Sequence, residues 1–171
     1  MTAADIILTL VTAQRLAELL LSRHNTTRLM ARGALEVGGG HYPLMVVVHA
    51  SWLAVLWIFG RDVPPDWILF AAYLALQGLR IWVMITLGVR WTTRIIVLPG
   101  APLITQGPYR YLNHPNYAVV AGEIALLPLV LHLPLIATLF TILNGIVLFI
   151  RIRAENSGLA QLREGGQEGA A

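Results

Sequence analysis

The sequence predicts an all-α, polytopic integral membrane protein with about five transmembrane helices. Three observations lead there. Hydrophobic residues make up 57% of the chain and charged ones only 12%, against about 25% charged in a soluble domain. The apolar residues fall into five separate runs. The basic residues, all arginine, fall mostly outside those runs, in an alternating pattern. At 171 residues the length suits one domain. Residues 1–163 are expected to form it, and the Gly-rich stretch 164–171 a disordered tail.

Ile6 to Leu21 is the first span. It carries Gln14, Arg15 and Glu18, with Gln14 and Glu18 at i, i+4 on one face. Polar groups at such depth face a bundle interior; the competing reading is an amphipathic helix lying on the membrane. Ser22 to Tyr42 reads as a polar connector, and its successive glycines, Gly38 to Gly40, give flexibility or a tight turn. They do not form GxGxxG, and no strand is expected before them, so no dinucleotide fingerprint is read. Pro43 to Phe59 is the second span, with His49 inside it; a lone histidine there is more often packed against a neighbour than functional. Gly60 to Asp66 makes a short turn. Trp67 to Leu87 is the third span. Its Gln77 and Arg80 share a face at i, i+3, and Arg80 needs a partner or must snorkel; Glu123 is the partner of interest.

Gly88 to Asn116 is the longest connector. Connections beyond about 12–15 residues are usually functional or disordered, and its Trp, Tyr, Thr, Pro and Arg content argues against disorder. Tyr117 to Leu131 is the fourth span and Leu135 to Ile150 the fifth, with His132 and Pro134 in the turn. Sixteen residues rise about 24 Å against a hydrocarbon core of about 30 Å, so these two form a tight hairpin. Arg151 to Leu162 continues as a helix into water.

Charge orients the spans. Arg23, Arg28 and Arg32 follow the first, Arg90, Arg94 and Arg110 follow the third, and Arg151, Arg153 and Arg163 follow the fifth. The other two turns hold Arg61 with two aspartates, and no arginine. The positive-inside rule then places the amino terminus outside and the carboxyl terminus in the cytoplasm. Segments 88–116 and 151–162 share the cytoplasmic side of the cell inner (plasma) membrane. The sequence pI near 9.8 suits anionic headgroups or an anionic ligand rather than nucleic acid. Without cysteine, disulfides, thiol nucleophiles and thiolate metal sites are excluded; no metal is expected. The acids and arginine in the first run argue against a removed signal peptide.

The chemistry concentrates in Gly107 to Glu123, GPYRYLNHPNYAVVAGE. Asn116 sits at the expected N-cap of the following helix, leaving backbone N–H groups for an anion. Asn116 and Glu123 share a helix face, as do Arg151 and Glu155 at i, i+4. For the latter pair the plain reading is a snorkelling arginine with a surface ion pair of little worth. Carboxylates, arginine, histidine and aromatic faces suit a cofactor carrying both charges. S-adenosylmethionine fits; NADPH fits nearly as well.

GPYRYLNHPNY, then Glu123, then RIRAENSGL resemble the isoprenylcysteine carboxyl methyltransferase family. QRLAELLLSRHN, GALEVGGGHYPLMVVVH and TLGVRWTTRIIVLPG resemble its bacterial branch found beside type III polyketide synthases, which O-methylates alkylpyrones and phenolic lipids. The resemblance implies S-adenosyl-L-methionine as cofactor at a cytoplasmic site, with His114, Tyr117 and Glu123 binding it. Gly107, Pro108, Tyr109 and Arg110 would shape its pocket. Arg151 and Glu155 match the arginine and first glutamate of the family's C-terminal motif at the reaction centre. The chain departs at Asn113, usually arginine, and at Asn156, usually a second glutamate; Asn156 is familiar in the polyketide-associated branch. The implied activity is O-methyl transfer to a lipophilic acceptor arriving from the bilayer, with a carboxylate or acidic hydroxyl already ionised and a plain phenol needing Glu155 or His114 as base. A prenylated cysteine carboxylate is the runner-up acceptor. An NADPH-dependent reductase and a non-enzymatic scaffold or carrier are the competing classes; polar groups gathered on one side count against a carrier.

Overall fold

The structure, a computed structural model, describes the backbone of residues 1–168 and the side-chain surroundings of residues 1–157. Five helices dominate: α1 (Ala3–Met30), α2 (Tyr42–Phe59), α3 (Trp67–Leu87), α4 (Pro115–Val130) and α5 (Pro134–Glu168). The tail expected from Glu164 falls where no side chain is described, and residues 169–171 lie outside the described residues altogether. Three of the five helices, α2, α3 and α5, are long and apolar enough to cross a membrane. Helix α4 is apolar but shorter, 16 residues, and α1 carries the polar face read from its sequence.

Helix α1 outruns its expected end by nine residues, from Leu21 to Met30. Its start is fixed by a capping box: Thr2 Oγ1 accepts from the Asp5 amide while Asp5 accepts from the Thr2 amide. Its extension persists because the polar residues beyond Leu21 have partners. Ser22 Oγ accepts from the Thr93 amide at 2.8 Å, and Asn25 Nδ2 donates to the Trp91 carbonyl at 2.8 Å. What reads as connector is a helix face matched to another segment.

The all-α expectation needs one correction. Strands β1 (Leu35–Val37) and β2 (Ile95–Val97) pair antiparallel, Leu35 opposite Val97, and Arg94 ties them through Glu36 at 2.8 Å. Strands of three residues are too short for alternation to be read. The long connector is therefore built, not loose: it holds β2 and 3₁₀ turns at Gly88–Arg90 and Gly107–Arg110. Gly107 (φ +57) brings the second turn so close to α3 that a Cβ would lie 2.5 Å from Thr86 Oγ1. The turn before α2 works similarly. At Gly38 (φ +62) a Cβ would meet His41 at 2.6 Å and Ala154 of α5 at 2.9 Å.

Two ends emerge. Thr2 Oγ1 donates to the Arg61 carbonyl at 2.6 Å, and the Asp66 amide donates to the Val130 carbonyl at 2.8 Å. The amino terminus, the α2–α3 turn and the α4–α5 turn thus gather at one end. The end of α1, the two-stranded sheet, segment 88–116 and the arginine-bearing part of α5 gather at the other, where Arg151 reaches the Thr93 carbonyl. Between them Leu8, Trp52, Leu56, Ile124, Leu127 and Leu131 form a closed core, with Trp52 Nε1 donating to the Ile124 carbonyl at 3.3 Å. In lipid such a core is held by close packing more than by exclusion of water.

Candidate functional site

Two polar assemblies lie within the helices. The first joins α1, α3 and α4 around Glu123, a fully buried carboxylate. Arg80 grips both its oxygens, Arg15 Nη2 donates to Oε2 at 2.7 Å, and Gln77 Nε2 donates to Oε1 at 2.7 Å. Glu18 balances the second cation, accepting from Arg15 at 2.9 Å and Arg80 at 3.1 Å. Gln14 closes the circuit, donating to Glu18 at 2.9 Å and to Gln77 at 2.8 Å. Two guanidinium groups thus face two carboxylates, each oxygen engaged. The shared faces read from Gln14–Glu18 and Gln77–Arg80 are present, and Arg80 does meet Glu123. Arg15 reaches the same carboxylate from α1, a pairing that no spacing within one helix could reveal.

The second assembly is a wall between two cavities. The smaller, about 260 Å³, lies among α1, α2, α4 and α5 and is mostly apolar. Leu16, Leu19, Val46 and Leu53 line it, with Arg15, Glu18 and Arg80 of the network and His49 also facing it. The larger, about 560 Å³, opens under segment 88–116 and takes in Arg90, Arg94, Tyr109, Asn113, His114, Glu155 and Asn156. Thr92, Asn116, Tyr117 and Arg151 line both.

That wall is only partly satisfied. Tyr117 Oη donates to Glu155 Oε2 at 2.7 Å, and the His114 ring stacks on Tyr117 with centroids 5.2 Å apart. His114 Nδ1 lies 3.8 Å from the same Glu155 oxygen. Arg151, 4% exposed, donates to the Thr93 carbonyl at 3.0 Å and to Met45 Sδ at 3.2 Å, with its guanidinium 5.6 Å from the Tyr117 ring centroid. Arg151 and Glu155 share a helix face as expected, yet they engage different partners. Arg151 Nε and Asn116 Oδ1 are closed off without a hydrogen bond. A buried polar group left so costs about 1–3 kcal/mol. Each such exception calls for an explanation, and these two belong to residues that line both cavities.

The expected residues divide accordingly. His114, Asn116, Tyr117, Arg151 and Glu155 come together at or beside the wall, and Tyr109 joins them across the larger cavity. Burial pushes the Tyr109 phenol up to about 12, and nearby Glu155 adds to it, so the phenol stays a donor. Glu123 lines neither cavity; it reaches the site through Arg15 and Arg80, which do. Gly107 and Pro108 set the 3₁₀ turn against α3 and lie outside both linings, as does the exposed Arg110. Asn113 and Asn156, the two departures, both face the larger cavity.

The N-cap expectation is corrected. His114 is the N-cap, Pro115 takes the first helical position and Asn116 the second. Proline at that position costs no hydrogen bond, which moves the boundary two residues back. The amides of Tyr117 and Ala118 both donate to the His114 carbonyl, so the row of free amides expected after Asn116 is not there. What Asn116 offers instead is its side chain. Thr92, Thr93, Met45 and Tyr42 were not singled out by the sequence; the WTTR run of segment 88–116 was the available signal. Among the described residues no cluster of three metal-ligating side chains occurs.

Comparison with known proteins adds three findings. A family model described as the isoprenylcysteine carboxyl methyltransferase (ICMT) family matches residues 67–161. The chain is 36% identical over 161 residues to the uncharacterized protein YpbQ of Bacillus subtilis (strain 168), covering 91% of this chain and 96% of that one. No solved structure matches.

Proposed function

The chain belongs to the isoprenylcysteine carboxyl methyltransferase family, and from that premise we propose that it is an S-adenosylmethionine-dependent O-methyltransferase of a lipid-like hydroxyl, such as that of an alkylpyrone or phenolic lipid. The observation that carries this reading is the wall of Thr92, Asn116, Tyr117 and Arg151 common to two cavities, the smaller mostly apolar and the larger of mixed polarity. A transfer between a polar cofactor and an apolar acceptor needs such an arrangement, each partner in its own compartment and one partition where they meet.

The larger cavity has a size usual for small-ligand sites, about 300–1,000 Å³. Its donor set fits S-adenosylmethionine. The Tyr117 ring and the Glu155 carboxylate suit a sulfonium, Arg90 and the unpaired Arg151 Nε suit a carboxylate, and Asn116 Oδ1 suits a hydroxyl or amine donor. When bound, the cofactor supplies an electrophilic methyl group. The protein's part is alignment and exclusion of water, and alignment can supply roughly 7–11 kcal/mol. Tyr117, anchored by Glu155 and stacked on His114, fixes the partition. Arg151 presents a cation where acceptor oxygen charge develops. Glu123 acts as a positioning residue, holding α1, α3 and α4 in register behind the smaller cavity.

The acceptor reaches that cavity from the bilayer, between α1 and α2. These helices are pinned near one end, where Trp57 Nε1 donates to Thr12 Oγ1 at 3.0 Å. Further along, the lining residues Leu16, Leu19 and Val46 keep much of their surface exposed. The arginine-bearing end, with the larger cavity, faces the cytoplasm of the inner membrane, with the amino terminus outside. A prenylated cysteine carboxylate is the second acceptor reading, favoured by the three guanidinium groups that line the smaller cavity.

Purified protein in lipid nanodiscs is expected to bind S-adenosylmethionine by calorimetry and to transfer labelled methyl to lipid extracts. Arg151→Ala should lower turnover roughly 100-fold or more, the scale of losing one transition-state donor. A protein that binds no S-adenosylmethionine in lipid is not this enzyme. One that binds NADPH instead belongs to the reductase reading, and one that binds neither to a scaffold or carrier.

A further inference from the structure

We propose that His49 receives the acceptor's hydroxyl proton, through Nε2, from inside the smaller cavity; this deepens the methyl-transfer reading above and rests on it. Glu155 and His114, the bases suggested by sequence, line the larger cavity and not the smaller. An acceptor hydroxyl that comes from the lipid side meets other groups. Among the side chains of the smaller cavity, Arg15, Glu18, Tyr42, Arg80, Tyr117 and Arg151 are the ionisable ones besides His49. Four are ruled out as proton acceptors: the arginines lack a lone pair for the purpose, and Glu18 is already engaged by Gln14, Arg15 and Arg80. Tyr117 spends its proton on Glu155, and Tyr42 is a phenol, itself an acid.

His49 differs from all of these. Its Nδ1 lies 2.8 Å from the Met45 carbonyl, and a carbonyl only accepts, so Nδ1 carries hydrogen. In the neutral ring this places the lone pair on Nε2. Nε2 makes no hydrogen bond among the described residues, and it is not among the atoms sealed from the surface. With His49 on the cavity lining, its unbonded ring nitrogen is the acceptor this lining offers. It is linked to the wall through Met45. Met45, four residues or about 6 Å back along α2, touches Arg151 through its sulfur at 3.2 Å. The Met45 carbonyl and sulfur thus hold His49 on one side and Arg151 on the other.

The chemistry balances. The hydroxyl proton goes to Nε2; the oxygen's electron pair forms the new bond to the methyl carbon; the pair that held the methyl returns to sulfur. Arg151 steadies the oxygen as its proton leaves. A plain phenol needs such a base, whereas an ionised carboxylate does not.

His49→Asn is the informative variant, because an amide nitrogen can keep the bond to Met45 while Nε2 is lost. With 5-pentadecylresorcinol as acceptor, turnover is expected to fall about 100-fold or more, with S-adenosylmethionine affinity unchanged. A His49→Asn protein that methylates the resorcinol within about 3-fold of wild type overturns the assignment. A second measurement needs neither cofactor nor turnover. In ¹⁵N-histidine-labelled wild-type protein in nanodiscs, His49 should show the Nδ1–H tautomer, and 5-pentadecylresorcinol should shift its Nε2 resonance. A Nε2–H tautomer, or an Nε2 signal indifferent to the lipid, overturns the proposal. Wild-type protein without cofactor binding would refute the methyltransferase reading instead, and the resonance experiment would still decide whether His49 meets a hydroxyl.

Discussion

The Glu123 network and the Tyr117–Arg151 wall lie in the same bundle and draw on the same residue types, yet they are finished to different degrees. Around Glu123 both carboxylate oxygens are engaged and the charges balance, and Arg15 Nε is the one network atom left buried without a partner. At the wall, Asn116 Oδ1 and Arg151 Nε have no partner, and the carboxylate Glu155 remains partly open with 28% of its side chain exposed. A buried network whose carboxylates are all engaged rigidifies and has little left to offer a ligand. An unsaturated one is costly until something binds. The first therefore reads as scaffold and the second as site, although both carry residues matched to the family's pattern.

The largest effect expected from breaking that contrast is on stability. Glu123→Ala strands Arg15 and Arg80 opposite Glu18 alone, and loss of one partner of a buried pair costs about 3–5 kcal/mol. For a chain of this size that is a Tm shift of roughly 6–20 °C, measured by thermal unfolding in detergent. Glu123→Met combined with Arg80→Met leaves the Arg15–Glu18 pair balanced, and should recover a large part of the loss. A Glu123→Ala protein with wild-type Tm and abolished cofactor binding would move Glu123 from scaffold to site.

Tyr117→Phe tests the other half at an intermediate scale. It removes a hydrogen bond to Glu155 (2.7 Å) but keeps the ring against His114. Water can reclaim the partly open carboxylate, so Tm should move little. Cofactor affinity should fall about 10-fold, or about 1.4 kcal/mol, by calorimetry. If Tm falls as far as in Glu123→Ala, the wall is scaffold too and the contrast dissolves.

The sequence made the polar faces of single helices legible, since a spacing of three or four residues fixes them: Gln14 with Glu18, Gln77 with Arg80, Arg151 with Glu155. It did not reveal how those faces meet, because the register between helices depends on turns whose geometry is local. Arg15 joins Glu123 across 108 positions, and the two-stranded sheet pairs Leu35 with Val97 through strands of three residues. The same limit explains α1. Ser22 and Asn25 look like connector residues until segment 91–93 is placed beside them. Pro115 was readable as a helix start, and giving Asn116 that role overlooked it. The motif around His114 and Tyr117 marked one side of the wall. Thr92 and Met45 carry no residue-type signal, and only the packing of α2 and segment 88–98 against α5 brings them there.

The smallest effect is expected at the rim, where the contrast should fade. Arg94 lines the larger cavity, bridges Glu36 at 2.8 Å and lies 4.4 Å over the Tyr42 ring, but 42% of its side chain is exposed. Solvent screens such a pair, and exposed ion pairs contribute about 0.2–1 kcal/mol. Arg94→Ala should therefore lower Tm by at most a few degrees, roughly 2–4 °C per kcal/mol, and that loss should shrink further in high salt. Any effect on cofactor affinity should stay below that of Tyr117→Phe, because Arg94 is already occupied by Glu36, whereas the wall holds groups that wait for a partner. A larger loss of affinity in Arg94→Ala than in Tyr117→Phe would place the anion-binding end of the site at the sheet and not at Arg151.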